Sequence, residues 1–275
     1  MQPITTSNIS DAVADTLFIP LYMRSLEARR PDAIIRDPDA CRIVESVDYD
    51  FSKYDKATRS QVGVCLRAQY FDAITRRFIE AHDNPVVVSM GCGLDSRANR
   101  VGLSRGVFYN LDLPEVMELR DQLLPPDERN VSVHRSMFDP AWMREIREQH
   151  PDASVLVLSE GVLMYFSEDQ IRPLIQRVAK VLAPGELLFD ACTGFGCKLS
   201  SRHDTVKHTK ARFHWALDED NRLEGWASNL FLNSVNYYMD KEPMRWDLMS
   251  RVMSWIPPFA RAFRMLHYQM APARA

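Results

Sequence analysis

Short apolar runs rich in β-branched residues recur through the middle of the chain, separated by stretches with helical spacing. Val86-Val87-Val88 leads into Gly91, and Val107-Phe108-Tyr109-Asn110-Leu111-Asp112 follows. Val131-Ser132-Val133-His134, Val155-Leu156-Val157-Leu158-Ser159 and Glu186-Leu187-Leu188-Phe189-Asp190 complete a set of five. Runs this apolar, with little alternation, predict strands covered on both faces, as in a parallel sheet. Their alternation with helical patterns predicts an α/β fold with a doubly wound, mostly parallel sheet. Two later runs, Leu230–Tyr237 and Phe263–Met270, are read as closing strands paired antiparallel at one edge.

The helical stretches carry their own boundaries. Pro114 sits where a first helical residue belongs, and Pro125-Pro126 stops that helix. Ser167-Glu168-Asp169-Gln170 has the form of a capping box, with Ile171, Leu174, Ile175, Val178 and Leu182 at helical spacing behind it. Pro173 lies deep in that pattern, so the helix is expected to begin a residue or two after the box. Leu66, Tyr70, Ile74 and Phe78 mark one helix face before the first strand. No Gly-, Ser- or Pro-rich linker divides the chain, so 1–275 reads as one domain: a helical N-terminal cap at 1–82, a ligand-binding core at 83–192, and a substrate-side segment with the last strands at 193–275.

Composition narrows the function classes. With 275 residues the chain can bury a sizeable core without staples. A net charge of −3, with basic pairs Arg29-Arg30 and Arg76-Arg77 short and interrupted, asks for neither nucleic acid nor an anionic membrane. Five cysteines at irregular spacing, with no CxxC, suggest neither a zinc site nor a disulfide framework; reduced thiols in a cytoplasmic protein are the expectation. The first ten residues are mostly polar, and no apolar run is long enough to span a bilayer.

The chemistry concentrates at Val86-Val87-Val88-Ser89-Met90-Gly91-Cys92-Gly93-Leu94-Asp95-Ser96-Arg97, a strand running into a glycine-rich turn and then a helix. Glycine lets the backbone turn sharply and approach a ligand closely. Asp112 closes the second strand about twenty residues on, where a carboxylate accepts hydrogen bonds from ribose hydroxyls. Ser96 meets the third small position of a dinucleotide fingerprint only loosely. A ligand with base and ribose but no phosphate, such as S-adenosylmethionine, fits better than NAD, which stays as a rival.

Three blocks in order carry a family resemblance. Gly91-Cys92-Gly93-Leu94-Asp95-Ser96-Arg97 resembles the GxGLDTR signature of the leucine carboxyl methyltransferase family, which includes O-methyltransferases of polyketide biosynthesis. Asn110-Leu111-Asp112-Leu113-Pro114-Glu115-Val116 resembles its (E/D)xDxPxV block, and Ser159-Glu160-Gly161-Val162-Leu163-Met164-Tyr165-Phe166 its xEGxLxYL block. Weaker likenesses are Arg36-Asp37-Pro38-Asp39-Ala40 and the helix around Arg67. The resemblance spans roughly residues 20–192. It implies a seven-stranded Rossmann-like methyltransferase sheet and S-adenosyl-L-methionine as cofactor. It places Gly91, Gly93 and Asp112 at the nucleoside, Arg67 on the cofactor's carboxylate, and Glu160 against the cofactor. Ser136-Met137 stand where the family often has an acidic residue after the third strand, and are carried as adenine-side candidates. For Arg67 the residues alone leave open a structural salt bridge with Asp72 or Glu80, and for Glu160 a helix-dipole role.

Methyl transfer is an in-line displacement, so the protein mainly aligns the acceptor and excludes water. A carboxylate acceptor needs no base, whereas a hydroxyl benefits from one, most often histidine. Tyr165, His203 and His214 are the catalytic candidates, with Phe195, Phe213, Trp215 and Trp226 as aromatic wall or core. His203 and His208 do not share a helix face, which disfavours a metal. The expected acceptor is a small polyketide or aromatic-type molecule, with a protein carboxyl terminus and a catalytically silent binding protein as rivals. Oligomeric state is left open, a homodimer included.

Overall fold

The computed structural model describes residues 11–199 and 212–272. Five parallel strands form its centre: β1 (Pro85–Met90), β2 (Val107–Asp112), β3 (Asn130–His134), β4 (Ser154–Ser159) and β5 (Gly185–Cys192). β6 (Leu230–Tyr237) and β7 (Phe263–Met270) close one edge, β7 antiparallel to β5 and β6 antiparallel to β7. The order across the sheet is β3-β2-β1-β4-β5-β7-β6. All seven strands fall where the apolar pattern places them. β1 is buried along its whole length, which is why its sequence shows no alternation.

Helices cover both faces. α5 (Pro114–Leu123), α6 (Ala141–Gln149) and α7 (Glu168–Val181) lie in the crossovers. Trp142, Ile146, Ile171, Leu174, Ile175 and Val178 pack one face against Val86, Val88, Val155 and Val157. The N-terminal helices α1 (Asp11–Ala28), α2 (Pro38–Ser46) and α3 (Thr58–Ala81) do more than cap. Phe71, Ile74 and Phe78 of α3 lie on the other face, against Val87, Phe108, Leu156, Leu158 and Leu188. α3 is therefore a structural layer of the sheet. A short α4 (Arg97–Val101) follows the glycine turn, and α8 (Gly194–Leu199) follows β5. α9 (Leu248–Met253) and α10 (Pro257–Ala260) lie between β6 and β7. No described helix is long and apolar enough to cross a membrane.

One boundary differs from expectation. α7 begins at Glu168, directly after the capping box of Ser167 and Gln170, with Pro173 inside the helix. Proline has no N–H to give the carbonyl of Asp169. The helix tolerates that one loss because its cap is complete and its apolar face is buried against the sheet.

Asp37 ties the N-terminal helices to the core. It accepts the Ala40 N–H (2.9 Å) as N-cap of α2, and the Ser96 hydroxyl (2.7 Å) from the glycine turn. Arg24 of α1 (2.8 Å) and Arg100 of α4 (2.9 Å) pair with the same side chain. Asp37→Ala removes a cap, leaves the buried Arg24 without its carboxylate and takes one of the partners of Arg100, so it should lower the unfolding free energy by roughly 3–5 kcal/mol. Urea unfolding measures this; a loss near the few tenths typical of a surface position would remove Asp37 from this role.

Candidate active site

The strand order reverses about β1, which is flanked by β2 on one side and β4 on the other. Open α/β sheets bind ligands in the crevice at the carboxyl ends of such strands. A cavity of about 470 Å³ opens there, walled by the turn after β1, the end of β2, the segment after β4, and α1.

The glycine turn forms one wall. Gly91 has φ +65, and the N–H groups of Gly91 and Cys92 fold back onto the Leu111 carbonyl (2.8 and 3.2 Å). A Cβ on Gly91 would come within 2.6 Å of Val162, so only glycine lets these segments meet. Asp112 accepts the N–H of Gly93 and of Leu113, both at 2.8 Å. Burial raises its pKa above the usual carboxylate value, against the pull of those two N–H donors. Arg120, from α5, braces the turn from behind through the Gly93 carbonyl (2.9 Å) and Asn110 (2.8 Å).

The opposite end of the cavity is charged. Arg67 from α3 donates through Nε to Glu160 (2.9 Å) and through Nη1 to Asp190 (2.8 Å). Asp72 and Glu80 are thus not its partners: Asp72 instead takes Arg97 (2.8 Å) and Arg100 (2.9 Å). The reason is rotational. Asp72, five residues along α3, lies toward α4, whereas Arg67 faces the strand ends. Arg97 also pairs with Glu160 and with Asp95 (2.7 Å), and Arg100 reaches Asp95 (2.9 Å). Arg24, 3% exposed, donates to the Leu94 carbonyl (3.0 Å) and lines the cavity. Burial alone would raise Glu160 and Asp95. Arg97 and Arg67 hold Glu160 below its usual value, and Arg97 and Arg100 hold Asp95 far below.

The structure therefore brings Arg67, Gly91, Gly93, Asp112, Glu160, Tyr165 and His214 to one cavity. Tyr165 packs edge-on to Phe213, and burial pushes its phenol up to about 12. His214 is exposed at the mouth beside Arg212, its N–H bonded to the Met164 carbonyl (2.8 Å). Ser136 and Met137 do not line the cavity. Met137 packs into the core, its carbonyl accepting from Trp142 (3.0 Å), and Ser136 caps its own turn at Phe138 (3.3 Å). Trp215 and Trp226 are core residues. His203 and His208 lie outside the described residues. Sequence reading missed Arg24, Asp95, Arg120 and Asp190. Asp95 lay within the signature without a role, and Asp190 was visible only as the end of a strand.

These groups suit a ligand that is apolar at one end, carries ribose hydroxyls near Asp112, and ends in a zwitterion among Arg67, Arg24, Glu160 and Asp95. The fold and site define an S-adenosylmethionine-dependent methyltransferase on a Rossmann-like sheet. Residues 18–179 match the profile of the leucine carboxyl methyltransferase family, and the chain belongs to that family. It is 29% identical over 265 residues to the tetracenomycin polyketide synthesis O-methyltransferase TcmP of Streptomyces glaucescens, covering 93% of this chain and 96% of that protein. It is 27% identical over 231 residues to the S-adenosyl-L-methionine-dependent methyltransferase dpfgK of Gibberella zeae, covering 76% and 77%. Among solved structures, a duf574 family protein from Streptomyces avermitilis shares the fold with TM-score 0.55 at 14% identity, covering 94% of this chain and 97% of that one. Magnesium protoporphyrin IX methyltransferase of Synechocystis, solved with bound S-adenosylhomocysteine, aligns with TM-score 0.50 at 10% identity over 85% and 93%. With family and fold established, the NAD-dependent alternative falls away.

The depressed carboxylates have a consequence for stability. Asp37, Asp95 and Glu160 titrate lower in the folded chain than in the unfolded one, where carboxylates lie at about 3.9 to 4.3. As pH falls through that range the unfolded chain binds protons that the native chain does not, and stability drops. Asp112, raised by burial, has the opposite sign but stands alone against three. The urea unfolding free energy should stay level from about pH 7 to 5 and fall steeply below about pH 4. A level profile down to about pH 3 would contradict the ion-pair assignment.

Proposed function

We propose that the chain transfers the methyl group of S-adenosylmethionine to an oxygen, carboxylate or hydroxyl, of a small aromatic-type molecule of secondary metabolism. The observation that carries this is one cavity with a charged, ribose-ready end and an aromatic, cation-flanked mouth: Tyr165 and Phe166 beside Arg212 and His214. The full-length likeness to a polyketide O-methyltransferase supports the same reading.

The cofactor supplies a methyl carbon activated by its sulfonium. Asp112, as a carboxylate, accepts the ribose hydroxyls while the Gly93 and Leu113 N–H groups hold its orientation. Arg67 and Arg24 attract the methionine carboxylate, and Glu160 its ammonium. Gly91 and Gly93 let the turn pack directly against Val162 and Leu17, which holds this wall of the cavity in place. Tyr165 stays a neutral phenol near neutral pH, so it donates a hydrogen bond or packs against the acceptor and does not act as a base. Arg212 and His214 orient an acceptor oxygen at the mouth. For a carboxylate acceptor this alignment suffices; for a hydroxyl, His214 is our candidate base, since it lines the same cavity.

Three measurements test this. Asp112→Ala should weaken S-adenosylhomocysteine by tenfold or more in calorimetry, the loss of charge-assisted hydrogen bonds of roughly 1.5–3 kcal/mol, with the far-UV spectrum unchanged. Unaltered affinity would sink the ribose role. Separately, methyl-labelled cofactor should label aromatic acids or phenols but not C-terminal peptides. Mild alkali then releases the label from an ester and spares an ether. His214→Ala should lower kcat by about 10²-fold or more with a phenol and mainly raise KM with an acid. Label on peptides alone would move the acceptor to a protein carboxyl terminus.

A further inference from the structure

Asp190 stands behind the cavity wall. It lies near the carboxyl end of β5, 2% exposed, and does not itself line the cavity. Both its oxygens are committed. Oδ1 accepts the Gly161 N–H at 2.6 Å, while Oδ2 accepts Arg67 Nη1 at 2.8 Å and the Tyr238 hydroxyl at 3.1 Å. Two of these donors, Gly161 and Arg67, do face the cavity.

Those two donors are also locked to each other. Gly161 has φ +71, and a Cβ built there would come 3.0 to 3.2 Å from the Arg67 guanidinium. The guanidinium thus lies over bare backbone, at a spot no side chain would leave open. Glu160 takes Nε and Asp190 takes Nη1, so the hydrogen bonds at these two positions fix which way the fork points. Nη2, like Nη1, lies against Gly161, and no carboxylate is paired with it among the described ion pairs. Without Asp190, Arg67 and Glu160 would retain only a single-point contact, about which a guanidinium can swing.

Tyr238 comes from the segment between β6 and β7, far from every sequence motif. That segment is anchored at two places: Arg245 pairs with Glu27 of α1 (2.8 Å), and Arg59 of α3 pairs with Asp247 (2.7 Å). Gly63 of α3 packs against the rings of Tyr238 and Trp246. Burial and the charge of Asp190 hold the phenol protonated, so it serves as a donor to that carboxylate.

We infer that Asp190, backed by Tyr238, is a positioning residue for the amino-acid end of the cofactor: it sets the Arg67 fork and the Gly161 N–H from outside the binding wall. This rests on the reading of Arg67 as the partner of the cofactor's carboxylate.

The test compares two ligands that differ only at that end. S-adenosylhomocysteine carries the amino acid; methylthioadenosine keeps adenine and ribose and lacks it. Dissociation constants for both are measured by calorimetry on the full chain, well below each variant's unfolding midpoint, for wild type, Arg67→Ala, Asp190→Asn and Tyr238→Phe. Asp190→Asn should weaken S-adenosylhomocysteine by about tenfold and leave methylthioadenosine unchanged. Tyr238→Phe should move the ratio the same way by a few-fold. Equal weakening of both ligands would make Asp190 merely structural, and no weakening of either would overturn the inference outright. If Asp190→Asn does not fold, Tyr238→Phe decides alone, and an unchanged ratio there overturns the assignment. Arg67→Ala separates the two levels. A collapsed ratio in Arg67→Ala with a wild-type ratio in Asp190→Asn would sink the inference and keep the Arg67 reading. A wild-type ratio in Arg67→Ala would sink the reading and the inference with it.

Discussion

Four buried arginines and five carboxylates interlock where the N-terminal helices meet the ends of the strands. Arg24, Arg67, Arg97 and Arg100 are paired with Asp37, Asp72, Asp95, Glu160 and Asp190. They come from α1, α3, α4, the glycine turn, the loop before α2, and the ends of β4 and β5. Removing ions from water is costly unless each finds opposite charge in good geometry. In this network most guanidinium groups find two or more carboxylates, so the charges hold only if every element is in place. The arrangement fixes position more than it adds stability: an apolar cluster of equal volume would serve stability as well. What it adds is a rigid set of charges around one cavity.

The two ends of that cavity are built differently. At the cofactor end, backbone turns and ion pairs hold each group, as catalysis by alignment requires. Asp112 is oriented by two N–H groups, Gly93 by Arg120, and Arg67 by two carboxylates. At the mouth, Arg212 and His214 come from a connecting segment. A connecting segment can change without disturbing the network, so this end of the cavity is freer to vary than the charged end. Family membership accordingly defines the cofactor and the class of transfer, and does not name the acceptor.

The sequence by itself determined the strands, because residues covered on both faces must be apolar throughout, and it marked β6 and β7 as a closing pair. It also marked the glycine turn at Gly91 and the carboxylate at Asp112, since a strand running into glycines and a carboxylate closing the next strand are both written along the chain, although what requires glycine at 91 is the distant Val162. Only the tertiary structure decided the rest. The partners of Arg67, Glu160 and Asp190, lie about a hundred positions away and are chosen by strand order, whereas Asp72 on the same helix points to α4. Met137 turns into the core instead of the cavity, and Pro173 is carried inside α7, because burial against the sheet outweighs local preference in both. Tyr238 reaches Asp190 only because the segment after β6 is pinned to α1 and α3. Periodicity and turn chemistry record what each residue's neighbours require; pairings across the sheet are set by a topology that no local pattern encodes.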